Sequence, residues 1–498
     1  MEIPKEVKFV IDKLKKKGFE AYIVGGCVRD FLRGVGPQDW DVATNAKPTE
    51  IGKIFPRSYA DNKFGTVTIL TGSEDPKLKE IEITPYRIES KYTDKRHPDE
   101  IKWAKTIKED LARRDFTVNA IAMSLSEPGT AKPGIIDPFK GQKDIKNKII
   151  RAVGNPEDRF SEDALRMMRA VRFAVTLQVP PSGGRSASWR IETKTGQAIK
   201  KAAPLLQVIS KERIRDELMK IVMVEEAASG LELLRKLGLL KYIIPELEEG
   251  YGQTQNKHHI YEIYDHNLRC LDYAAKKKYN KFVRLAALFH DLAKPRTKRG
   301  EGPDSTFYGH EILGAKMTCQ VLNRLKFSKK DIEKIAKLVR YHLFYYNVGE
   351  VSEASVRRLV RQVELENVAE LLQLRYCDRI GSGCPKAEPY KLRHLKYLIE
   401  KISQDPISVK MLEVNGKDVM DTLEIQPGPA IGQILDILLG QVLSYPQRNK
   451  KNVLLQEIKK LGKLNEKELR SLSQKAREER ERLKMKKDEM TKKKYWVT

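Results

Sequence analysis

Apolar residues recur along the 498-residue chain with two different spacings, and the change falls near residue 150. Before that point, residues 6–17 place apolar side chains at helical intervals, whereas segments 22–24, 67–70 and 81–84 are short apolar runs typical of strands. Beyond it, helical periodicity dominates. The pattern therefore predicts an α+β unit over residues 1–150, followed by all-α domains.

The helical part is divided by turn-forming residues. Periodicity predicts helices over residues 159–175, 210–224, 228–240, 282–292, 312–325, 330–342 and 354–375. The Pro/Gly/Ser run at residues 180–188 is typical of an exposed loop insertion. From residue 464 onward Lys, Arg and Glu dominate, which predicts a solvated helix with fraying ends. Residues 115–124 fit a strand and a helix equally well.

Charge changes this picture more than any other bulk property. Lys and Arg total 94 against 68 Asp and Glu, a formal net charge of +26, so we expect a polyanionic partner such as nucleic acid.

The chain has no uninterrupted run of about 18 apolar residues, which excludes a membrane span. Its first residues are charged throughout, so we expect a cytoplasmic protein. The five cysteines are dispersed without CxxC spacing, which argues against disulfides and a zinc ribbon.

Two glycines and two aspartates form the first group of candidate functional residues. Gly25 and Gly26 follow a predicted strand, where backbone N–H groups can approach a triphosphate closely. Asp39 and Asp41 are two residues apart, so in a strand their carboxylates point the same way. Carboxylates held this close favour a divalent cation, and Mg²⁺ binds one or two of them together with water and phosphate oxygens. Glu82, in a neighbouring predicted strand, can supply a third carboxylate.

A second group lies in the first long helical segment. Asp163 and Arg166 are three residues apart, so on a helix they share one face. Cytosine and adenine both present an exocyclic amine beside an unprotonated ring nitrogen, so a carboxylate that accepts and a guanidinium that donates can select both bases. Uracil and guanine reverse the pattern. An ordinary intrahelical salt bridge is the alternative interpretation of the same spacing.

Six of the eight histidines lie between His258 and His342. One of them, His290, is followed directly by Asp291 at the end of an apolar segment. A lone histidine in a helical domain is more often structural, but six within one region favour a metal site. Imidazole suits transition metals and carboxylate suits hard ions, so a mixed set leaves Mn²⁺, Ni²⁺, Co²⁺ and Mg²⁺ all open.

The first groups together resemble the head of the polymerase-β-type nucleotidyltransferases, in the class that contains CCA-adding enzymes and bacterial poly(A) polymerases. The resemblance is carried in family order by residues 25–30, 39–41, 86–98, 110–120 and 162–166. It implies addition of CMP and AMP from CTP and ATP to the 3′ end of tRNA, rather than action on DNA, with release of pyrophosphate. In such a head two Mg²⁺ ions bind at Asp39 and Asp41, with Glu82 assisting.

The same resemblance assigns roles to other residues. Segment 86–98 would help the switch from adding C to adding A, and Asp163 with Arg166 would read the base. The nucleotide contacts that it implies are Gly25, Gly26, Arg29, Arg114, Asp115, Asn119, Glu162, Asp163, Arg166 and Arg169. An always-charged, forked guanidinium such as that of Arg114 suits a triphosphate.

The histidine-rich region resembles the HD superfamily of metal-dependent phosphohydrolases. The resemblance implies metal ligands at His266, His290, Asp291 and Asp378, with His310 and His342 as further ligands or phosphate-facing groups. His258 and His259 are weaker members. Such a site could remove 2′,3′-cyclic phosphates or phosphomonoesters from damaged tRNA ends.

These resemblances predict five domains. They are a nucleotidyltransferase head over residues 1–150, a nucleotide-selecting neck over 151–250, an HD domain over 251–385, a tRNA-binding domain over 386–463 and a basic helical tail over 464–498. Segments 414–418 and 427–432 resemble bacterial CCA-adding enzymes that carry the HD module, in a lysine-rich region suited to holding the tRNA elbow. The sequence leaves the oligomeric state open.

Rival functions share parts of this pattern. A poly(A) polymerase would have the same head, although members with that activity generally lack the histidine–aspartate set. The complete 86–98 segment argues against an enzyme that adds only CC, whereas one that adds only A stays open. From other classes, an HD phosphohydrolase with an RNA-gripping head would not need three head carboxylates, and a pure RNA-binding protein would need neither metal site.

Overall fold

The computed structural model describes residues 2–61, 65–90, 100–125, 133–178, 188–256, 260–403 and 409–497. Within these ranges the strands are β1 (Ala21–Val24), β2 (Asp41–Thr44), β3 (Ser58–Asp61), β4 (Thr66–Leu70), β5 (Glu80–Pro85), β6 (Arg87–Ser90), β7 (Glu100–Trp103), β8 (Ala122–Met123), β9 (Ile135–Ile136), β10 (Ile149–Ile150) and β11 (Arg190–Ile191). The three predicted strands are confirmed as parts of β1, β4 and β5.

Helices account for most of the remaining described chain. They are α1 (Lys5–Lys16), α2 (Gly26–Leu32), α3 (Pro48–Ile54), α4 (Ile107–Ala112), α5 (Gly141–Asn147), α6 (Pro156–Glu162), α7 (Leu165–Thr176), α8 (Thr193–Ala202), α9 (Lys211–Val222), α10 (Ala227–Lys236), α11 (Leu240–Ile243), α12 (Pro245–Glu248), α13 (Ile263–Lys276), α14 (Lys281–Phe289), α15 (Lys294–Thr297), α16 (His310–Arg324), α17 (Lys329–Tyr341), α18 (Glu353–Val363), α19 (Leu365–Gly381), α20 (Tyr390–Ser403), α21 (Gly416–Leu423), α22 (Pro429–Ser444), α23 (Lys451–Leu461) and α24 (Glu466–Tyr495).

A sheet of seven strands, counted over the described residues, forms the core of the N-terminal part in the order β3-β4-β5-β2-β1-β8-β9. Strand β2 pairs antiparallel with β1 and parallel with β5, and the register sets Asp41 beside Glu82. Helix α1 packs its buried Val7, Val10 and Leu14 into the same core as the sheet. The α+β head is thus confirmed, and it brings two of the predicted carboxylates onto adjacent strands.

The polypeptide separates into two compact units, and each is described by itself. The first contains Met1–Leu343 and Ala369–Ala387, and so includes the head, helices α6 to α17 and most of α19. In it, α7 packs against α9 and α10, α13 against α14, and α16 and α14 against α17. The all-α character predicted beyond residue 150 is confirmed, apart from the short β10–β11 pair.

The second unit contains Phe344–Val368 and Glu388–Thr498. Its core lies around α22, with buried Ile434 and Leu438, and α24 packs along α22 and α20. The tail prediction was right about the helix but wrong about its being merely solvated. Leu469 joins the core, while Arg477 and Arg480 both form ion pairs with Asp436.

Two predicted long helices are broken in the structure. The helix predicted over 159–175 ends at Glu162 and restarts at Leu165, because Asp163 has an extended backbone and its Oδ1 accepts from the Leu165 backbone N–H at 3.1 Å. The helix predicted over 354–375 is interrupted at Glu364, where φ is +70°. Residues 115–124 contain a short 3₁₀ turn, Thr117–Asn119, and β8.

Candidate functional site

The carboxylates of the head meet where β2 begins. Asp41 is the first residue of β2, whereas Asp39 is exposed in a bend just before it, so the prediction that both lie in one strand was wrong. The two still line one cavity. Burial and the nearby charge of Asp39 raise the pKa of Asp41 to about 7; Arg114 opposes this effect, and Glu82 adds to it. Carboxylates that disfavour each other's ionisation fit a divalent cation, which stabilises the charged forms.

Arg114 lies close to Asp41, and its charge acts on that carboxylate. Gly25 has a φ of +82°, and a Cβ there would lie 2.9 Å from Arg114 Nη1 and 3.5 Å from Asp41 Oδ2. Only a glycine leaves room for the guanidinium at this position. Asp110, fully buried, accepts from Arg113 at 2.8 Å and from Arg114 at 3.3 Å. Although burial raises the pKa of Asp110, the two guanidinium groups outweigh it and lower that pKa.

The cavity beside the carboxylates is basic. It measures about 830 Å³, and its described lining residues include nine Arg or Lys and five Asp. The buried Nε of Arg114 makes no hydrogen bond to any described residue. Three guanidinium groups surround the Phe173 ring, with Arg172 at 4.4 Å, Arg29 at 5.3 Å and Arg169 at 5.5 Å from its centroid. An excess of positive charge with an unused donor fits a triphosphate.

A chain of hydrogen bonds orients the donors along one wall. Arg169 donates to Asp115 Oδ2 at 2.8 and 2.6 Å, and Asn119 Nδ2 donates to Asp115 Oδ1 at 3.1 Å. Asn119 Oδ1 in turn accepts from Arg29 Nη1 at 2.7 Å. Burial raises the pKa of Asp115, but Arg169 and Asn119 outweigh it and lower that pKa to about 2. These four predicted residues are thus brought together as one network.

The two residues predicted to read a base also line the cavity, but they are not on one helix. Asp163 lies in the break between α6 and α7, and its carboxylate pairs with Arg213 from α9. Arg166 donates from Nη1 to Glu162 Oε2 at 2.7 Å and from Nη2 to the Arg113 carbonyl at 3.2 Å. The simple Asp163–Arg166 salt bridge is absent from the ion pairs of the described residues. Both side chains are instead held by other partners.

Four histidines and two aspartates converge in the helical part of the first unit. His266 comes from α13, His290 and Asp291 follow α14, His310 begins α16, His342 follows α17 and Asp378 lies on α19. The Nε2 atoms of His266 and His290 are 3.0 Å apart. Asp291 and Asp378 lie 3.2 and 3.5 Å from His266 Nε2, and all six side chains are nearly or wholly buried.

The tautomers of these histidines suit metal ligation. Nδ1 of His290, His310 and His342 donates to the backbone carbonyls of Ala287, Phe307 and Val339, at 2.9, 2.7 and 2.7 Å. In the neutral form of each ring this leaves Nε2 with a lone pair, as in metal-bound imidazoles. Burial, then His290, lower the pKa of His342 to about 3, so its ring is neutral. The donor set fits a divalent metal centre.

Sequence reasoning missed several residues of both sites. Arg213 pairs with Asp163 from a different element, and no local pattern marks it. Lys294 lies three residues after Asp291, and its Nζ is 2.7 Å from Asp291 Oδ2, a spacing that could have been noticed. Arg375 pairs with Asp378 at 2.6 Å. Most of segment 86–98, most of the 180–188 insertion, and His258 and His259 lie outside the described residues.

Among the described residues, no helix is both long and apolar enough to cross a membrane. Those residues also contain no disulfide, and three of the five cysteines, Cys27, Cys270 and Cys377, are buried.

An aspartate pair at the start of a strand, beside a basic cavity, is the arrangement expected of a nucleotidyltransferase. Family models match the chain in three places: a Poly A polymerase head domain over residues 21–151, a probable RNA and SrmB-binding site of polymerase A over 189–250, and an HD domain over 263–380. The first match lies in the N-terminal sheet region, and the third includes all six residues of the histidine–aspartate centre.

Proteins that match over most of the chain are also tRNA nucleotidyltransferases. A CCA-adding enzyme of Ligilactobacillus salivarius is 33% identical over 92% of this chain and 98% of its own length. An A-adding tRNA nucleotidyltransferase of Deinococcus radiodurans is 32% identical over 85% and 92%. The crystal structure of the Bacillus stearothermophilus CCA-adding enzyme in complex with CTP matches with a TM-score of 0.56 and 28% identity, over 92% of this chain and 98% of that one. The chain belongs to the tRNA nucleotidyltransferase family that contains the CCA-adding enzymes.

Proposed function

We propose that this protein completes the CCA end of tRNA, transferring CMP twice and AMP once from CTP and ATP. One observation carries the proposal: the carboxylates Asp39 and Asp41, the triphosphate-suited Arg114 and the base-reading candidates Asp163 and Arg166 line a single cavity. A binding protein would need no metal-suited carboxylates in that cavity. A conventional polymerase would read a template strand rather than use an aspartate and an arginine.

The reaction needs few chemical groups from the protein. The 3′ oxygen of tRNA forms a bond to the α-phosphorus, the bond from that phosphorus to the β-phosphate oxygen breaks, and the hydroxyl proton is lost as pyrophosphate leaves. Asp39 and Asp41, with Glu82 beside them, would hold two Mg²⁺ ions, which activate the attacking hydroxyl and neutralise the leaving group. The remaining contribution of the protein is mainly to position the nucleotide and the tRNA 3′ end.

The nucleotide would be positioned by other groups that line the same cavity. Gly25 and Gly26 allow the backbone to approach the phosphates, and the Arg114 guanidinium, which lines the cavity, would donate to them. The Arg169–Asp115–Asn119–Arg29 network orients donors for the ribose and phosphates. Because these bonds exist before the nucleotide binds, the site requires little reorganisation on binding.

Base selection is assigned to Asp163 and Arg166. Asp163 would accept from the exocyclic amine and Arg166 would donate to the ring nitrogen, so C and A are accepted and U and G are not. Glu162 orients Arg166 through its 2.7 Å ion pair, and Arg213 orients Asp163. A fixed pair of this kind serves both bases in turn without a template strand.

The domain boundaries at residues 150, 250, 385 and 463 stand as part of this proposal. Residues 386–463, and the charged helix α24 after them, would hold the body of the tRNA, since the net charge of +26 suits a long polyanion. A cytoplasmic location fits this substrate. Affinity for tRNA should fall steeply as salt is raised.

The test uses tRNA transcripts ending before the first C, before the second C and before A, with Mg²⁺ and each nucleotide singly or CTP with ATP. We expect addition of CCA that then stops, and its loss in Asp39→Asn and Asp41→Asn. Unlimited A addition would reassign the protein as a poly(A) polymerase. Growth only on the CC-ended transcript would make it an A-adding enzyme, as in the Deinococcus radiodurans relative.

A second activity is supported by the histidine–aspartate centre. With four imidazoles, two carboxylates and the cations Lys294 and Arg375 alongside, it is suited to hydrolysing phosphate esters at RNA ends. Water oxygen would bond to phosphorus, the ester P–O bond would break, and the leaving oxygen would take a proton. The check is release of phosphate from end-phosphorylated RNA, or opening of a 2′,3′-cyclic phosphate, by the parent but not by Asp291→Asn.

A further inference from the structure

Helix α9 forms part of the wall of the basic cavity, but only one of its side chains has a role in the reaction described above. Arg213, Glu217 and Lys220 are four and then three residues apart, so they share one face of the helix. Arg213 and Lys220 line the cavity, and Arg213 is paired with Asp163. Glu217, only 4% exposed, lies between them along α9. Nucleotide binding and base selection therefore leave Glu217 and Lys220 without a role.

The buried carboxylate of Glu217 joins two cations from different helices. Its Oε1 accepts from Lys220 Nζ at 3.1 Å, and its Oε2 lies 3.2 Å from Nε of Arg172 on α7. Arg172 also lines the cavity, with its guanidinium 4.4 Å from the centroid of the Phe173 ring. One carboxylate cannot neutralise two cations, so the cation pair, Arg172 with Lys220, keeps a surplus positive charge. Burial, and then the charge of Arg169, lower the pKa of Arg172, an effect that a bound anion would oppose.

The cation pair is set apart from the groups assigned to the nucleotide. On α7, Arg172 follows Arg166 by six residues, which is about 9 Å along the helix. The other seven Arg side chains that line the cavity are assigned to the nucleotide or form ion pairs with Asp30, Asp110, Asp115 or Asp163; they are Arg29, Arg33, Arg113, Arg114, Arg166, Arg169 and Arg213. The cation pair is therefore available to a different anion.

Nucleotidyl transfer brings such an anion into the same cavity. The 3′ oxygen of the RNA must reach the α-phosphorus, so the terminal nucleoside of the acceptor has to lie beside the incoming nucleotide. A phosphodiester joins that nucleoside to its predecessor, and its negative charge enters the site with it. Arg and Lys contacts to such phosphates position a strand without reading its sequence. A surplus positive charge away from the base-reading residues fits this phosphate.

We propose that Arg172 and Lys220 bind the phosphate that joins the last two nucleotides of the RNA acceptor, and that Glu217 is the positioning residue that holds both cations. The assignment rests on the nucleotidyl transfer proposed above and adds an acceptor subsite to it. Because this phosphate is present whichever base is terminal, one contact serves acceptors that await C and acceptors that await A.

The test first removes the charge from the phosphate. A tRNA ending in CC is made with its last internucleotide phosphate either native or replaced by a neutral methylphosphonate, and both versions carry a 2′-O-methyl group on the penultimate nucleotide to keep the linkage stable. AMP addition is then measured over ranges of tRNA and of ATP. For the parent we expect the methylphosphonate to raise KM for tRNA about tenfold, because a charge-assisted contact is lost, and to leave KM for ATP unchanged. Equal KM for the two acceptors would overturn the proposal, whatever the variants do.

Variants then remove the charge from the protein. Lys220→Met should raise KM for the native acceptor about tenfold and add nothing on the methylphosphonate acceptor, because its partner charge is already absent there. Lys211→Met, on the same helix but outside the cavity lining, is the matched control and should behave as the parent. Glu217→Gln keeps the side-chain volume and should show the same loss on the native acceptor alone. Equal losses of Glu217→Gln on both acceptors would overturn its positioning role.

The remaining outcomes separate this subsite from the transfer reaction itself. A Lys220→Met loss that persists on the methylphosphonate acceptor would overturn the phosphate assignment, and a rise in KM for ATP alone would assign the cation pair to the triphosphate instead. Unfolding midpoints check that each variant is folded. If the parent transfers no nucleotide, equilibrium binding of the two acceptors decides the subsite: weaker binding of the methylphosphonate by the parent, with the difference lost in Lys220→Met, supports it while refuting the transfer, and equal binding overturns both.

Discussion

Arg213 on α9 binds both carboxylate oxygens of Asp163, with Nη1 3.2 Å from Oδ1 and Nη2 2.7 Å from Oδ2. The pair joins α9 to the break between α6 and α7 and fixes the direction in which Asp163 faces the cavity. Forked, charge-assisted pairs of this kind give geometric precision as well as energy. The orientation of Asp163, the proposed base-reading side chain, thus depends on another helix.

Removing Arg213 should therefore weaken nucleotide use without changing the fold. We expect Arg213→Ala to lower kcat/KM for CTP and ATP together by about 10- to 100-fold, because hydrogen bonds to charged groups contribute roughly 1.5–3 kcal/mol. Incorporation of UMP should rise relative to CMP. Steady-state kinetics with all four nucleotides checks this, and Arg215→Ala, a neighbouring arginine outside the cavity, is the control; equal effects of the two changes would contradict the assignment.

Alanine substitutions at Gly25 and at Gly18 distinguish the effect of backbone strain from the effect of steric crowding in the site. Both have positive φ, +82° and +87°, but a Cβ on Gly25 meets Arg114 at 2.9 Å whereas one on Gly18 meets nothing within 4 Å. Alanine at either position should cost about 1–2 kcal/mol of stability. Only Gly25→Ala should displace the guanidinium and lower kcat/KM, by roughly 100-fold for a misplaced catalytic geometry. Unfolding curves and kinetics on the two variants test this, and unimpaired turnover by Gly25→Ala would refute the role of Arg114.

The pKa of Asp41 predicts how pH acts on the metal-free head. Because the folded pKa is about 7 and the unfolded value is 3.8, the folded state binds the proton more tightly. This contribution to stability is full at low pH and is lost as pH rises from about 4 to about 7, by up to roughly 4 kcal/mol. In EDTA, raising the pH from 5 to 8 should lower the unfolding midpoint less in Asp41→Asn than in the parent.

Mg²⁺ should remove that difference by stabilising the parent at pH 8 and not the variant. Intrinsic tryptophan fluorescence follows unfolding, and the buried Trp40, next to Asp41, is one of the four tryptophans that contribute to it. Asp12→Asn, an exposed aspartate on α1, serves as the control. If the unfolding midpoint depends on pH in the same way in Asp41→Asn and in the parent, the ionisation of Asp41 does not affect stability.

The tail helix should depend on one small residue of α22. A Cβ on Gly440 would lie 3.1 Å from Ala476 Cβ on α24, whereas Gly432 on the same helix has open space. Gly440→Leu should push α24 away at a cost of about 1–3 kcal/mol for overpacking, while Gly432→Leu should be neutral or slightly stabilising. The displacement of α24 is measured as increased trypsin cleavage within residues 466–495, with the fragments identified by mass spectrometry. Equal resistance of both variants to trypsin would mean that the packing of α24 does not depend on this contact.

Local patterns identified much of the head and most of its chemistry. Strands β1, β4 and β5 follow from short apolar runs, and helix α1 from the 3.6-residue spacing of Val7, Val10 and Leu14, because burial of one face is a local property. The sequence suggested Glu82 as a third carboxylate but could not establish that it pairs with Asp41, because the register depends on how two distant strands align.

The helix break at Asp163 was missed for a related reason. Periodicity continues smoothly from residue 159 to residue 175, and nothing in that run excludes a single helix. The break depends on Asp163 capping Leu165 and pairing with Arg213, which is 50 residues away along the chain. A local pattern cannot register a partner of that kind, and Arg375 beside Asp378 escaped notice because its spacing resembles any intrahelical ion pair.

By itself the sequence determined which residue types carry the chemistry: carboxylates two apart for a cation, histidines and aspartates for a second metal centre, and an excess of 26 positive charges for a polyanion. Those properties reside in individual side chains and their spacing. Only the tertiary structure decided what each group faces, such as Arg114 against Gly25 and the two oxygens of Asp291 toward separate histidine pairs. Ligand geometry is a matter of distances of about 3 Å between atoms from different helices, and packing of the whole unit sets those distances.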